Sequence, residues 1–145
     1  TGKVPVIVRK DLPGFLANRL QHALAREALA LVEAGVASPA DVDAAVRFGF
    51  GFRFLAAGPL LQRDHAGLDV HAAAAATMYP TLAASRTPSR ELTDRVAAGR
   101  LGMKAGGGFY DWPPEAIAKE KARYEGLLRA GLALLEAELP AVSRD

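Results

Sequence analysis

There is no cysteine in these 145 residues. That excludes disulfides, thiolate zinc sites, iron–sulfur clusters and cysteine nucleophiles. There is no run of lysine or arginine either. The 18 basic residues are scattered among 16 acidic ones for a net charge of +2, so no dedicated nucleic-acid surface is encoded. No apolar stretch approaches the roughly 20 residues that cross a bilayer. A secretory signal is missing as well, because Lys3 is the only basic residue before Val4–Val8 and that run is too short for an h-region. These absences lead us to expect a cytoplasmic location, with neither membrane nor nucleic acid as partner. Methionine occurs only as Met78 and Met103, behind Thr1, which reads as a processed start or as a piece of a longer chain.

Half of the residues are hydrophobic and 23% are charged, which supplies enough apolar surface to offset chain entropy within one domain. Val4–Val8 is a β-branched run that reads as a short strand, yet the rest of the sequence encodes no sheet for it to join. After Pro13-Gly14 the pattern turns helical. Leu16, Leu20, Leu24, Ala28 and Leu31 recur every three or four residues, and Gly35 ends the run. Ser38-Pro39-Ala40-Asp41 is an N-cap, a proline at the first helical position and an acid three residues after the cap. The helix it opens is expected to reach Phe48 and to bury Val42, Ala45 and Val46. A loop over 49–58, a third helix from Pro59 to near Gly67, and a fourth over Val70–Tyr79 capped by Asp69 and stopped by Pro80 come next. A fifth begins around Thr87–Glu91 and runs to about Ala98. After a loop over 99–108, the last starts at Pro113-Pro114 and runs to roughly Leu139. It carries the apolar stripe Ile117, Tyr124, Leu128, Leu132, Leu135 and the charge pairs Glu115/Lys119 and Lys121/Glu125. The expected fold class is therefore all-α, with five or six helices behind one leading strand. Helices this short need packing to persist, so part of the apolar stripe is expected to meet a partner chain.

Few residues suggest chemistry by themselves. His22, His65 and His71 include no pair at helical metal-ligand spacing, and no metal site is expected. Gly106-Gly107-Gly108 matches neither dinucleotide nor nucleoside-triphosphate loop patterns and reads as a structural turn. Gly49-x-Gly51 lacks the third glycine of the fingerprint, with Phe54 in its place. Arg47, Arg53 and Arg63 could attract an anion but read as ordinary solvated charges or ion-pair partners. Asn18-Arg19 opens the long helix just after Pro13-Gly14. Taken alone it is a solvated helix start, although an amide that both donates and accepts suits a polar substrate beside a separate acid/base group.

The order of motifs says more than any one of them. Gly2-Lys3-x-Pro5-Val6-x-Val8, Asp11, Pro13-Gly14-Phe15-x-x-Asn18-Arg19, Glu27-Ala28, Gly35-Val36-Ala37-Ser38 and Asp41-x-Asp43 come first. Gly49-x-Gly51, Gly58-Pro59, Asp64-x-x-Gly67-Leu68-Asp69 and Gly102-x-Lys104-x-Gly106-x-Gly108-Phe109-Tyr110-Asp111-Trp112 follow. Over residues 2–112 this succession resembles the C-terminal domain of the NAD-dependent L-3-hydroxyacyl-CoA dehydrogenases. It departs from the family pattern in Phe52–Leu61, and its tail after Trp112 is longer than in many members. The resemblance implies an N-terminal nucleotide-binding domain that holds NAD and the acid/base histidine, with residues 1–11 as its last strand and linker. It implies that residues 12–112 form a helical domain that dimerises and closes the substrate cleft, and that 113–145 form a helical extension. The implied reaction is hydride transfer between the 3-hydroxyl carbon of an acyl-CoA and NAD. The implied site residue here is Asn18, near the catalytic histidine and substrate. His22, His65 and His71 match none of the family's acid/base positions. Relatives with the same helical domain oxidise other 3-hydroxy acids, including gulonate and carnitine, so a non-CoA substrate is the alternative. A standalone helical dimerisation module is another.

Overall fold

In a computed structural model the described residues are 4–139. They form six α-helices: α1 (Ala17–Glu33), α2 (Pro39–Ala44), α3 (Leu61–Ala66), α4 (Leu68–Met78), α5 (Arg90–Ala97) and α6 (Pro114–Leu135). The all-α expectation holds. Val4–Val8 forms no strand, and among the described residues there are only isolated antiparallel bridges, Gly102 with Gly107 and Gly107 with Asp111. The reason is the one the sequence supplies: a strand needs a hydrogen-bonded neighbour, and none is present.

Helix boundaries follow local chemistry. Ser38 Oγ accepts from the Asp41 amide at 3.2 Å while the Asp41 carboxylate accepts from the Ser38 amide at 3.4 Å, a complete capping box. Gly35, at φ +67°, donates to the Val32 carbonyl, and Val36 donates to that of Leu31, which closes α1 in a Schellman motif. Pro80 lies in a single 3-10 turn, Tyr79–Thr81, that terminates α4. Other expectations fail. Asp69 does not cap α4: Gly67 occupies the N-cap with no side-chain bond, and Asp69 sits inside the first turn. α2 ends at Ala44, short of the expected Phe48, and passes into a π-helical turn, Ala45–Gly49; a 3-10 turn, Phe50–Leu55, follows where a loop was expected. A Cβ on Gly51 would stand 2.5 Å from the Val46 carbonyl oxygen, so this glycine serves close backbone packing. On α6 neither Glu115/Lys119 nor Lys121/Glu125 forms an ion pair. Glu120–Arg123 and Glu125–Arg129 do, because side-chain reach selects among several registers of near-equal energy.

α1 packs on α2 and α5, α3 packs on α4, and α6 rests on the Phe50–Leu55 turn. Between these contacts the described residues have no buried hydrophobic core, and only Gly107 and Gly108 are buried. The α1 stripe is open, with Leu20 63% exposed. Val42 and Val46 are half-buried, and Ala45 is exposed. The chain exposes 11995 Å², whereas a compact monomer of its mass would expose about 7,100 Å². No helix among the described residues is long and apolar enough to cross a membrane.

Candidate active-site cleft

The turn before α1 sets the first element of the site. The Phe15 amide donates to the Leu12 carbonyl at 2.9 Å across Pro13 and Gly14, with Gly14 at φ +81°. This is a turn with proline at its second position and a left-handed glycine at its third. Phe15 follows at φ +48°, the one non-glycine residue at positive φ among the described residues. A left-handed aromatic residue costs about 1–2 kcal/mol. The Arg19 guanidinium donates back to the Pro13 carbonyl at 3.3 Å. A Cβ on Gly14 would touch the Asn18 Cβ at 3.5 Å, so turn and first helical turn are packed as a unit. Asn18 is exposed on that unit, and among the described residues its amide has no hydrogen-bond partner.

From this turn a cleft of about 930 Å³ runs along α1 as far as Val32. Its far wall is built from α2, the 83–89 segment, the start of α5 and Phe109-Tyr110. Two acids on α1 hold that segment across 56 residues of sequence. The Glu27 carboxylate accepts from the Ala83 amide, and the Glu33 carboxylate accepts from Ser89 Oγ, each at 2.7 Å. Sequence reasoning noted Glu27 only as part of a motif and missed Glu33. The sole signal was an acid interrupting an apolar stripe. Arg19, Arg26 and Arg86 line the cleft with His22, against one acid, Asp43. That acid is already engaged, since Tyr110 donates its hydroxyl to it at 2.5 Å. Burial, then the hydrogen bond to Asp43 and its charge, push the Tyr110 phenol up to about 12, so it stays a neutral donor. Glu27 and Glu33 stand behind the wall residues they hold, so the three arginines share the cleft with three carboxylates.

The glycine-rich loop is a scaffold for this wall. Gly102 and Gly107 exchange amide-to-carbonyl bonds of 2.7 and 3.1 Å, and the Gly108 amide donates to the Tyr110 carbonyl at 2.8 Å. A Cβ on Gly108 would lie 2.9 Å from the Gly102 Cα, which requires glycine there. Arg100 straps the loop, with Nε on the Gly108 carbonyl at 3.0 Å and Nη2 on Asp111 at 2.8 Å. The Arg95 guanidinium stacks 4.2 Å over Phe109. The loop amides are therefore spent internally and do not fit a dinucleotide pyrophosphate, which needs free amides ahead of a helix.

The three histidines do not form one cluster. His22 lines the cleft, whereas His65 and His71 line a separate hollow, where His71 Nδ1 lies 2.9 Å from the Arg63 guanidinium. Arg53 and Arg63 border that hollow, Arg47 stacks over Phe48 at 5.0 Å, and none of the three lines the cleft.

The comparisons accord with this architecture. The family model for the 3-hydroxyacyl-CoA dehydrogenase C-terminal domain matches residues 14–112, and the chain belongs to that family. One relative is a 5-formyl-3-hydroxy-2-methylpyridine 4-carboxylate 5-dehydrogenase of Mesorhizobium japonicum, 37% identical, aligned over 84% of this chain and 40% of that protein. Another is the Escherichia coli 3-hydroxyadipyl-CoA dehydrogenase, 39% identical, covering 81% of this chain and 24% of the relative. A third is the L-carnitine dehydrogenase of Pseudomonas syringae, 43% identical, covering 66% and 31%. Among solved structures, a 5-formyl-3-hydroxy-2-methylpyridine 4-carboxylic acid 5-dehydrogenase, described as an NAD+-dependent dismutase, superposes with a TM-score of 0.85. It is 34% identical, over 90% of this chain and 43% of that one. The chain thus spans less than half the length of each of these proteins.

Proposed function

We propose that this chain is the helical, substrate-facing part of an NAD-dependent dehydrogenase that oxidises a hydroxyl group on a substrate bearing a phosphate or carboxylate. Asn18 hydrogen-bonds at the reacting centre. The observation that carries this reading is the cleft itself. Its lining presents the unpaired amide of Asn18 together with three arginines, Arg19, Arg26 and Arg86. An amide there steadies a hydroxyl or carbonyl oxygen while a separate group moves the proton. NAD is held by an N-terminal part, and residues 1–11 link to it, with Val4–Val8 able to pair as its last strand only when that part is present. Residues 12–112 supply cleft and lid, and 113–145 are an extension. The helical part pairs with a second copy, in keeping with its large excess of exposed apolar surface.

The family suggests a 3-hydroxyacyl-CoA as substrate, whose phosphates would meet Arg19, Arg26 and Arg86. A second reading, a non-CoA hydroxy acid, draws on the pyridine carboxylate and carnitine dehydrogenases among the relatives. Substrates of both classes carry a phosphate or carboxylate group, which the arginines of the lining can meet. A panel of hydroxyacyl-CoA thioesters and free hydroxy carboxylates, run on the full-length enzyme, separates them by kcat/KM. In the same enzyme Asn18→Ala is expected to lower kcat by about 100- to 1,000-fold, the range for losing one preorganised donor. NAD affinity should stay nearly unchanged. A wild-type rate rejects the assignment of Asn18.

A further inference from the structure

Two long helices of this chain each carry an apolar stripe with nothing on it, and the two do not cover one another. On α1 the stripe is Leu16, Leu20 and Leu24, all exposed, and it lies off the cleft, which is lined by other residues of the same helix. On α6 it is Tyr124, Leu127, Leu128 and Leu132, with Leu132 64% exposed. The stripe is partly covered at its two ends, where Ile117 and Leu135 are half-buried and Gly131 meets the Leu55 side chain, at 3.6 Å from a Cβ position built on it; its middle is open. α6 packs on the Phe50–Leu55 turn and not on α1.

We propose that α6 is an exchanged arm: its stripe packs in trans on the Leu16–Leu24 stripe of α1 in a second copy of this chain. Because the pairing is reciprocal, one two-fold axis generates two equivalent α1–α6 contacts, and every stripe finds a partner without an open-ended array. Leucines at intervals of four on both helices suit ridge-into-groove packing at 8–10 Å between axes. The area supports this occupant. The chain exposes 11995 Å², about 4,900 Å² more than a compact monomer. Obligate homodimers bury about 2,000–5,000 Å² in total, so one partner copy fits within the excess and leaves room for an N-terminal part elsewhere. The contact leaves the cleft open, since Asn18 lies on the other face of α1. All of α6 lies beyond the segment that the family model describes.

This inference rests on the dimer reading above, and the experiment separates the two. The 145-residue chain is run by light scattering over a range of concentrations, as wild type and as Leu128→Glu/Leu132→Glu, with helicity followed by circular dichroism. Wild type is expected at twice 15.3 kDa, and the variant at half the wild-type mass with its helicity largely kept. A variant that remains dimeric overturns the arm and leaves the dimer standing. A wild type that is monomeric throughout overturns both, and points to the N-terminal part as the cover for α6. The absence of native cysteine gives a second measurement that needs no charged variant. Chains bearing Leu20→Cys are mixed with chains bearing Leu128→Cys and treated with a short bismaleimide. The arm predicts a crosslinked pair containing one chain of each kind. A dimer without that mixed crosslink overturns it.

Discussion

At the scale of single residues the molecule spends strain close to its candidate chemistry. Phe15 holds a left-handed backbone with its ring largely exposed, three residues before Asn18. The turn that imposes this is closed by one backbone bond and braced by Arg19. Strain of this kind persists only where the surroundings over-determine the conformation, and it gathers at working sites. Its local cost is testable in the 145-residue chain. Phe15→Gly removes the Cβ clash, and the exposed ring surrenders little packing, so the variant is expected to gain about 1 kcal/mol in denaturant unfolding. A lower midpoint would mean that the ring contributes more to packing than its exposure indicates. In the full-length enzyme the same change should loosen the helix start and raise KM while the isolated chain becomes more stable. That opposition separates a positioning role from a purely structural one.

At the scale of elements, the glycine-rich loop and α2 are joined by the Tyr110–Asp43 hydrogen bond, which sets a pH dependence. The phenol titrates at 10.0 ordinarily and at about 12 in the folded chain. A group whose pKa is raised by folding favours the native state while protonated. Its contribution is complete below pH 10, and it falls away between pH 10 and 12. Alkaline unfolding followed across that interval should therefore steepen in wild type and flatten in Tyr110→Phe, with the variant the less stable of the two at neutral pH. Identical alkaline profiles would remove the bond from any account of stability. What could be read beforehand divides along the same physical line. The Ser38–Asp41 box, the Gly35 stop and the break at Pro80 involve groups within a few residues of each other, so the sequence states them directly. Tyr110 with Asp43 spans 67 residues and Glu27 with Ala83 spans 56, distances over which no periodicity or spacing speaks. The motif P-G-F-x-x-N-R is local as well, a turn followed by a helix start, and its Asn18 lines the cleft.

At the scale of the whole molecule, the sequence pattern correctly marks Leu16, Leu20, Leu24, Tyr124, Leu128 and Leu132 as apolar faces. It does not say what covers them, because periodicity reports which side of a helix avoids water and not which polypeptide lies on it. The same division of labour bears on the cofactor. A dinucleotide is bound where a strand feeds a glycine turn into a helix whose first amides point at the pyrophosphate. Here the glycines that look most like such a turn bond one another, the Gly108 amide goes to Tyr110, and Arg100 straps the loop shut. Opening the loop to admit phosphate would cost these bonds, and α6 begins only at Pro114, too far on for its amides to contribute. The 145-residue chain is therefore expected to give no saturable heat when titrated with NAD, although its cleft and Asn18 are intact. The full-length enzyme should bind NAD, and Arg100→Ala should leave that affinity unchanged while lowering the thermal stability of the helical part. Tight one-to-one binding of NAD by the 145-residue chain would refute the separation of cofactor from substrate wall, and with it the role assigned to the cleft.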